Sequence, residues 1–226
     1  MLATAFIAGA LLTHFSPRTI QFSGFRWEVK GSQEKVGPGP NLFSDSPDSV
    51  FVDRKGRLHL KVRKTAAGWT CAEVYLAKPL GYGSYTFEVD SPESAIDSNL
   101  VLGLFTYGEK EDFSHREIDV ELSRWSDPTN DNAQFVVQPY EVAGNMVRFT
   151  LPADNPSSTH SFVWRRDKID FLSKSGNFSK SWSYAGTSNP VPGDETVHIN
   201  LWLYEGKAPT KDQTFEVILR RFSYRR

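Results

Sequence analysis

Short runs of alternating apolar and polar residues recur at intervals of about ten along this chain, and no helical window of useful length interrupts them. Leu58, Leu60 and Val62 alternate with His59, Lys61 and Arg63. Ala72, Val74 and Leu76 alternate with Glu73 and Tyr75, and Tyr85, Phe87 and Val89 with Thr86 and Glu88. Successive side chains of a strand point to opposite faces, so each run has one apolar face to bury. Gly, Pro, Asp and Asn fill the gaps, as turns require. Such a chain must pair its strands and press their apolar faces together, and the expected class is an all-β sandwich. The 226 residues, 39% of them hydrophobic, are enough for one sizeable core. No repeat or second domain is visible.

The formal net charge is -1, with acids and bases interspersed, which leaves no footprint for nucleic acid or an anionic membrane. Six Trp exceed the ordinary needs of packing, and aromatic faces of this kind stack on sugar rings. The one cysteine, Cys71, cannot form an intrachain disulfide and reads as a small buried hydrophobe, since no His–acid pair accompanies it. Residues 1–15 are apolar and uncharged apart from His14, too short a run for a membrane span. With the polar break Ser16-Pro17-Arg18 they suggest a signal or anchor over residues 1–18, although no Lys or Arg precedes the run. The alternative is a first strand or helix of the domain. A single domain over residues 19–226 is then expected, opening its core with Ile20, Phe22 and Trp27, monomeric and extracellular.

The sharpest chemical signal lies in His115-Arg116-Glu117-Ile118-Asp119-Val120-Glu121-Leu122-Ser123-Arg124-Trp125. Read as a strand, it sends Glu117, Asp119 and Glu121 to one face with His115, Ser123 and Trp125, and Ile118, Val120 and Leu122 to the other. Three neighbouring carboxyls cannot all ionise freely, so at least one should hold its proton. One carboxylate beside one carboxylic acid is what glycoside hydrolysis uses, and two Glu four strand residues apart can lean to the roughly 5 Å of a retaining pair. An acidic, solvated strand face is the bland alternative.

The Glu-Ile-Asp-Val-Glu segment resembles the signature of glycoside hydrolase family 16, in the form without the extra bulged residue of the laminarinase branch. The flanks agree in order. Cys71-Ala72-Glu73-Val74-Tyr75, Gly81-Tyr82-Gly83, Phe105-Thr106-Tyr107, the Trp164 segment and Asn200-Leu201-Trp202 resemble landmarks of that family over roughly residues 19–226. The resemblance implies a concanavalin A-like jelly roll with a glycan cleft on its concave face. It implies Glu117 as nucleophile, Asp119 as assisting acid and Glu121 as general acid/base. It further implies sugar contacts from Glu73 and Trp202.

Other candidates for the cleft follow from parity and position. Phe105 and Tyr107 share a strand face with Gly103, and Trp125 would offer a stacking platform if the strand persists to it. Gln134 and Gln138 would enter the cleft floor from the next strand, and His198 and Asn200 share the Trp202 face. Asn41 lies in the turn-rich stretch between Lys30 and Pro47, where the family builds a cleft wall. His115 stands where lichenases have a Trp and Val136 where they have an Asn, so the substrate is less defined than the chemistry. His160 is given no catalytic role. No cofactor is expected. Many family members carry a structural calcium on backbone oxygens, which no sequence motif reports. The expected function is retaining endo-hydrolysis of a β-linked polysaccharide, the alternatives being a lectin-like glycan-binding module or a transglycosylase using the same site.

Overall fold

The computed structural model describes residues 17–92, 94 and 96–226, so most of the expected signal or anchor segment lies outside the described residues. The strands are β1 (Thr19–Phe22), β2 (Phe25–Val29), β3 (Leu42–Phe43), β4 (Val50–Val52), β5 (Leu58–Thr65), β6 (Gly68–Leu76), β7 (Gly83–Val89) and β8 (Leu100–Tyr107). They continue with β9 (Ile118–Ser123), β10 (Ala133–Val137), β11 (Met146–Phe149), β12 (Ser158–Trp164), β13 (Ile169–Ser175), β14 (Phe178–Tyr184), β15 (Thr196–Leu203) and β16 (Phe215–Arg225). They form a jelly-roll β-sandwich. One layer runs β11-β10-β9-β8-β15-β6-β2-β1 and the other β4-β5-β16-β7-β12-β13-β14, antiparallel throughout, with β3 added to β6 in parallel.

β5 and β6 join the layers. β5 pairs with β16 over Leu58–Val62 and then with β6 over Arg63–Thr65, while β6 goes on to pair with β15 over Ala72–Tyr75. Strands that switch sheets in this way turn the corners of a sandwich.

The alternation seen in the sequence sorts side chains between the two faces of the first layer. Val74, Leu102, Leu104, Ile118, Val120, Phe135, Val137, Ile199 and Leu201 are fully buried in the core between the layers. The residues between them in the chain, among them Glu73, Gly103, Phe105, Asp119, Glu121, His198, Asn200 and Trp202, line a cleft on the opposite face. As the alternation at the start of the domain requires, Phe22 and Trp27 are buried and Ile20 packs against the core. Cys71 is buried too, and burial pushes its thiol up to about 12.

Candidate active site

The cleft encloses about 720 Å³, within the range of small-ligand sites, and β9 with the residue just before it supplies three of its carboxyl groups. β9 keeps an unbroken register with Gly103 and Gln134 flanking Glu121, and Phe105 and Val136 flanking Asp119. The strand is shorter than the sequence suggests: it begins at Ile118 and ends at Ser123. Ahead of it Phe113, Ser114, His115 and Arg116 all have left-handed backbones, with φ of 52, 50, 62 and 53°. Each such non-glycine residue costs on the order of 1–2 kcal/mol and persists only where its surroundings impose it.

The buried Arg116 side chain imposes it. Its guanidinium donates to Asp112 at 2.6 Å, to Asp194 at 3.1 Å and to the Val191 carbonyl at 2.8 Å. Gly193 packs so close to the guanidinium that a Cβ there would overlap it. Thr106, 1% exposed on the core side of β8, then clamps the backbone on both sides of Glu117. Its hydroxyl donates to the Arg116 carbonyl at 2.8 Å and accepts the Ile118 N–H at 3.2 Å. The Glu117 carbonyl accepts the Gln138 N–H at 3.1 Å. Glu117 is therefore held by its own peptide groups, and its carboxyl is left to the cleft.

Burial and then the Glu121 charge push the Glu117 carboxyl up to about 8. Burial, followed by the charges of both glutamates, holds Asp119 well above the usual carboxylate range. Burial also raises Glu121, against a hydrogen bond from Gln134 and the charge of Arg148. Asp119 is only 3% exposed and hydrogen-bonds to Glu117, which raises its own affinity for a proton and lowers that of Glu117. The middle acid thus holds its proton and, through that hydrogen bond, offsets part of the rise that burial and Glu121 impose on Glu117. Gln138 donates to Asp119 Oδ2 at 3.2 Å from the far side.

A second polar network lines the same cleft face from β15 and β6. Glu73 is 2% exposed and accepts from Lys30 at 3.0 Å, with His198 Nδ1 at 3.0 Å from its other oxygen. Burial raises the Glu73 carboxyl, but the His198 hydrogen bond and charge and then Lys30 outweigh it and pull it below its usual range. The His198 ring stacks on Tyr75 at 5.3 Å and meets Phe105 at 5.1 Å, with its Nε2 against the Thr196 hydroxyl at 3.0 Å. Asn200 Oδ1 accepts the Gly103 N–H at 3.1 Å, and a Cβ at residue 103 would overlap that oxygen. Gly103 is needed for this approach.

No protein-family model matches the sequence, and no curated protein matches it. Solved structures do. A Bacillus licheniformis β-glucanase is 17% identical with a TM-score of 0.66, covering 88% of this chain and 92% of its own. A Bacteroides ovatus GH16 protein of a mixed-linkage glucan locus, solved with a G4G4G3G product, is 14% identical with a TM-score of 0.66 over 88% of this chain and 94% of its own. A Mycobacterium tuberculosis protein described as a pseudo β-1,3-glucanase is 16% identical with a TM-score of 0.64 over 86% of this chain and 88% of its own. The chain has the β-glucanase fold.

On this glucanase fold the sequence-derived candidates divide into three groups. Glu117, Asp119, Glu121, Glu73, Phe105, Tyr107, His198, Asn200 and Trp202 all line the cleft. Glu73 does so from the interior of the layer, since β6 lies between β15 and β2, and not from an edge strand. Gln134 and Gln138 lie beside the cleft, where their amides bond the Glu121 and Asp119 carboxyls.

Three candidates need correction. His115 belongs to the left-handed turn and not to the strand; its ring stacks on Tyr107 at 4.8 Å and its Nδ1 bonds the Gly108 carbonyl at 3.0 Å. Trp125 lies beyond the end of β9 with φ 47°, outside the cleft lining, and the Arg148 guanidinium covers one ring face at 4.2 Å. Asn41 is buried and donates to the Pro38 and Leu203 carbonyls at 2.8 Å, so it holds the wall loop and leaves the lining to Gly37 and Pro38.

Lys30, Tyr75, Thr106, Arg116 and Arg148 were not legible as site residues. Only Tyr75 carried a local signal, its parity with Glu73, the one charged residue of that strand. His160 is buried between the hydroxyls of Ser158 and Ser173, each at 2.8 Å, and burial lowers it to about 4. Among the described residues no group of three or more His, Cys, Asp or Glu is placed to hold a metal ion.

Proposed function

We propose that the protein belongs with family 16 and is a retaining endo-glycosidase acting outside the cell on a β-linked glucan. The observation that carries this reading is the triad at the start of β9, with two glutamates facing one cleft and an aspartic acid between them, hydrogen-bonded to Glu117. The unbroken β9 register supports the form without a bulge. The G4G4G3G product in the Bacteroides ovatus neighbour supports a glucan as substrate.

Glu117 attacks the anomeric carbon while Glu121 protonates the departing glycosidic oxygen. Glu121 then takes a proton from water as water opens the glycosyl–enzyme ester. Asp119 gives its hydrogen bond to Glu117, which lowers that carboxyl against burial and the Glu121 charge and so favours the ionised form the attack requires. Trp202 and Tyr107 present ring faces to sugar units along the cleft, and Glu73 with His198 receives hydroxyl groups.

The test is release of reducing ends from a panel of mixed-linkage glucan, laminarin, xyloglucan, agarose and carrageenan. Wild-type protein should cleave a β-glucan, and Glu117→Gln should lose at least 10³-fold in kcat with an unchanged circular dichroism spectrum. Binding without new reducing ends would instead indicate a lectin, and wild-type rates in Glu117→Gln would refute the nucleophile assignment. Competition by sugar acceptors would mark a transglycosylase.

A further inference from the structure

Three side chains sit side by side on the cleft face across three neighbouring strands. Gln134 of β10 is the register partner of Glu121 on β9 and of Arg148 on β11. Arg148 Nε donates to Gln134 Oε1 at 2.9 Å, and Gln134 Nε2 donates to Glu121 Oε2. A guanidinium has donors and no acceptor, so the amide can meet it only with its oxygen. The opposite amide orientation would set Nε2 against the Arg148 N–H and turn Oε1 toward Glu121. Arg148 therefore decides which way Gln134 points, and Gln134 in turn occupies a lone pair of Glu121 Oε2.

We propose that Arg148 is a positioning residue which, by fixing the direction of the Gln134 amide, restricts the transferable proton of Glu121 to Oε1. This rests on the reading of Glu121 as general acid/base, and it goes beyond that reading by naming the oxygen and the device that selects it. Asp119 has a parallel arrangement. The Tyr140 backbone N–H, another obligate donor, binds Gln138 Oε1 at 2.9 Å, and Gln138 Nε2 donates to Asp119 Oδ2 at 3.2 Å. Both amides are thus turned by a group that can only donate, and each presents an N–H to one oxygen of a catalytic carboxyl.

The stacking of the Arg148 guanidinium on Trp125 at 4.2 Å holds the outer end of the ladder in place. This gives the left-handed Trp125 a task at the site that does not require it to touch sugar. The other groups that act on Glu121 are Asp119 on its own strand and Glu117 just ahead of it. β8 presents Gly103 opposite it, with the neutral Asn200 above and Tyr107 farther along. β15 and β6 contribute His198 and Glu73, the latter paired to Lys30. Arg148 is the cation that reaches Glu121 through a hydrogen-bonded amide.

The experiment uses the full chain with glutamate labelled at the side-chain carboxyl carbon, the Glu121 resonance being assigned by its loss in Glu121→Gln. Arg148→Met should raise the Glu121 titration midpoint by about 0.5–1 pH unit, because both the donor and the cation are lost. It should also abolish the distinct, slowly exchanging Gln134 side-chain N–H. Arg148→Lys, which is again purely a donor, should restore both signals. Gln134→Leu, which loses the donor and keeps the Arg148 charge, should shift Glu121 in the same direction by less, and the double variant should go no further than Arg148→Met, as expected for one connected unit.

Where turnover is present, the alkaline limb of kcat/KM should move up with the carboxyl midpoint. A Glu121 midpoint and Gln134 N–H both unmoved in Arg148→Met would overturn the proposal, as would Arg148→Lys behaving like Arg148→Met. Absence of turnover in the wild type would strike at the glycosidase reading alone, since the carboxyl titration reports on the ladder without substrate.

Discussion

Thr106 shows how much of the site depends on single atoms. A hydroxyl on the core side of a strand is a liability unless paired, and here it satisfies one carbonyl and one N–H on either side of Glu117. Thr106→Val keeps the shape and removes the pairing, so a loss of about 1–3 kcal/mol in urea unfolding is expected. A fall in kcat larger than the change in KM should accompany it, whereas Thr106→Ser should retain most of both. The carboxyls make an opposite prediction. Glu117 is raised in the folded state to about 8, so the folded chain binds more protons than the unfolded one above the ordinary glutamate range. Its contribution to stability is complete below a pH of about 4.3 and is lost as pH rises through about 8. Glu117→Gln should therefore match wild-type stability near pH 4 and exceed it by about 1–3 kcal/mol near pH 9, read from denaturant midpoints at each pH.

At the scale of elements, the turn before β9 matters most. Four successive left-handed residues would not persist unaided, and the Arg116 fork across Asp112, Asp194 and the Val191 carbonyl is what ties them to the loop before β15. Arg116→Ala should release the turn, lower Tm by on the order of 5 °C and reduce kcat at least tenfold. Hydrogen exchange at Gly108, whose N–H donates to the His115 carbonyl, should accelerate in the same variant. Arg116→Lys should recover only part of the loss, because an ammonium cannot reproduce the planar fork. Local patterning could not have disclosed this element. The alternation of His115, Glu117, Asp119 and Glu121 continues smoothly through the turn, and the partners that tie Arg116 to the distant loop, the Val191 carbonyl and Asp194, lie some 75 residues away in the chain.

At the scale of the whole molecule, a nearly neutral chain concentrates acid in its cleft. Glu28, Glu73, Glu109, Glu117, Asp119, Glu121 and Asp194 line it against Lys30 and His198. That field should repel polyanions, so a sulfated carrageenan is expected to bind on the order of tenfold or more weakly than a neutral β-glucan at low salt, measured by calorimetry. The gap should narrow as salt screens the cleft. The same scale explains what was readable in advance. Period-two alternation determined the strands, their buried faces and the single-layer origin of the acid triad, because a strand's side-chain direction is a local property of its backbone. Ile118, Val120 and Leu122 had only one way to be buried together, and Glu117, Asp119 and Glu121 were then committed to the other face. Which polar groups partner those acids was decided by the tertiary structure alone. Register between β9, β10 and β11 sets Arg148 and Gln134 beside Glu121, and the approach of β6 to β15 sets Glu73 beside His198, 125 residues apart in the chain. Pairing of that kind is a property of where strands meet, and it leaves no trace in the order of residues along any one of them.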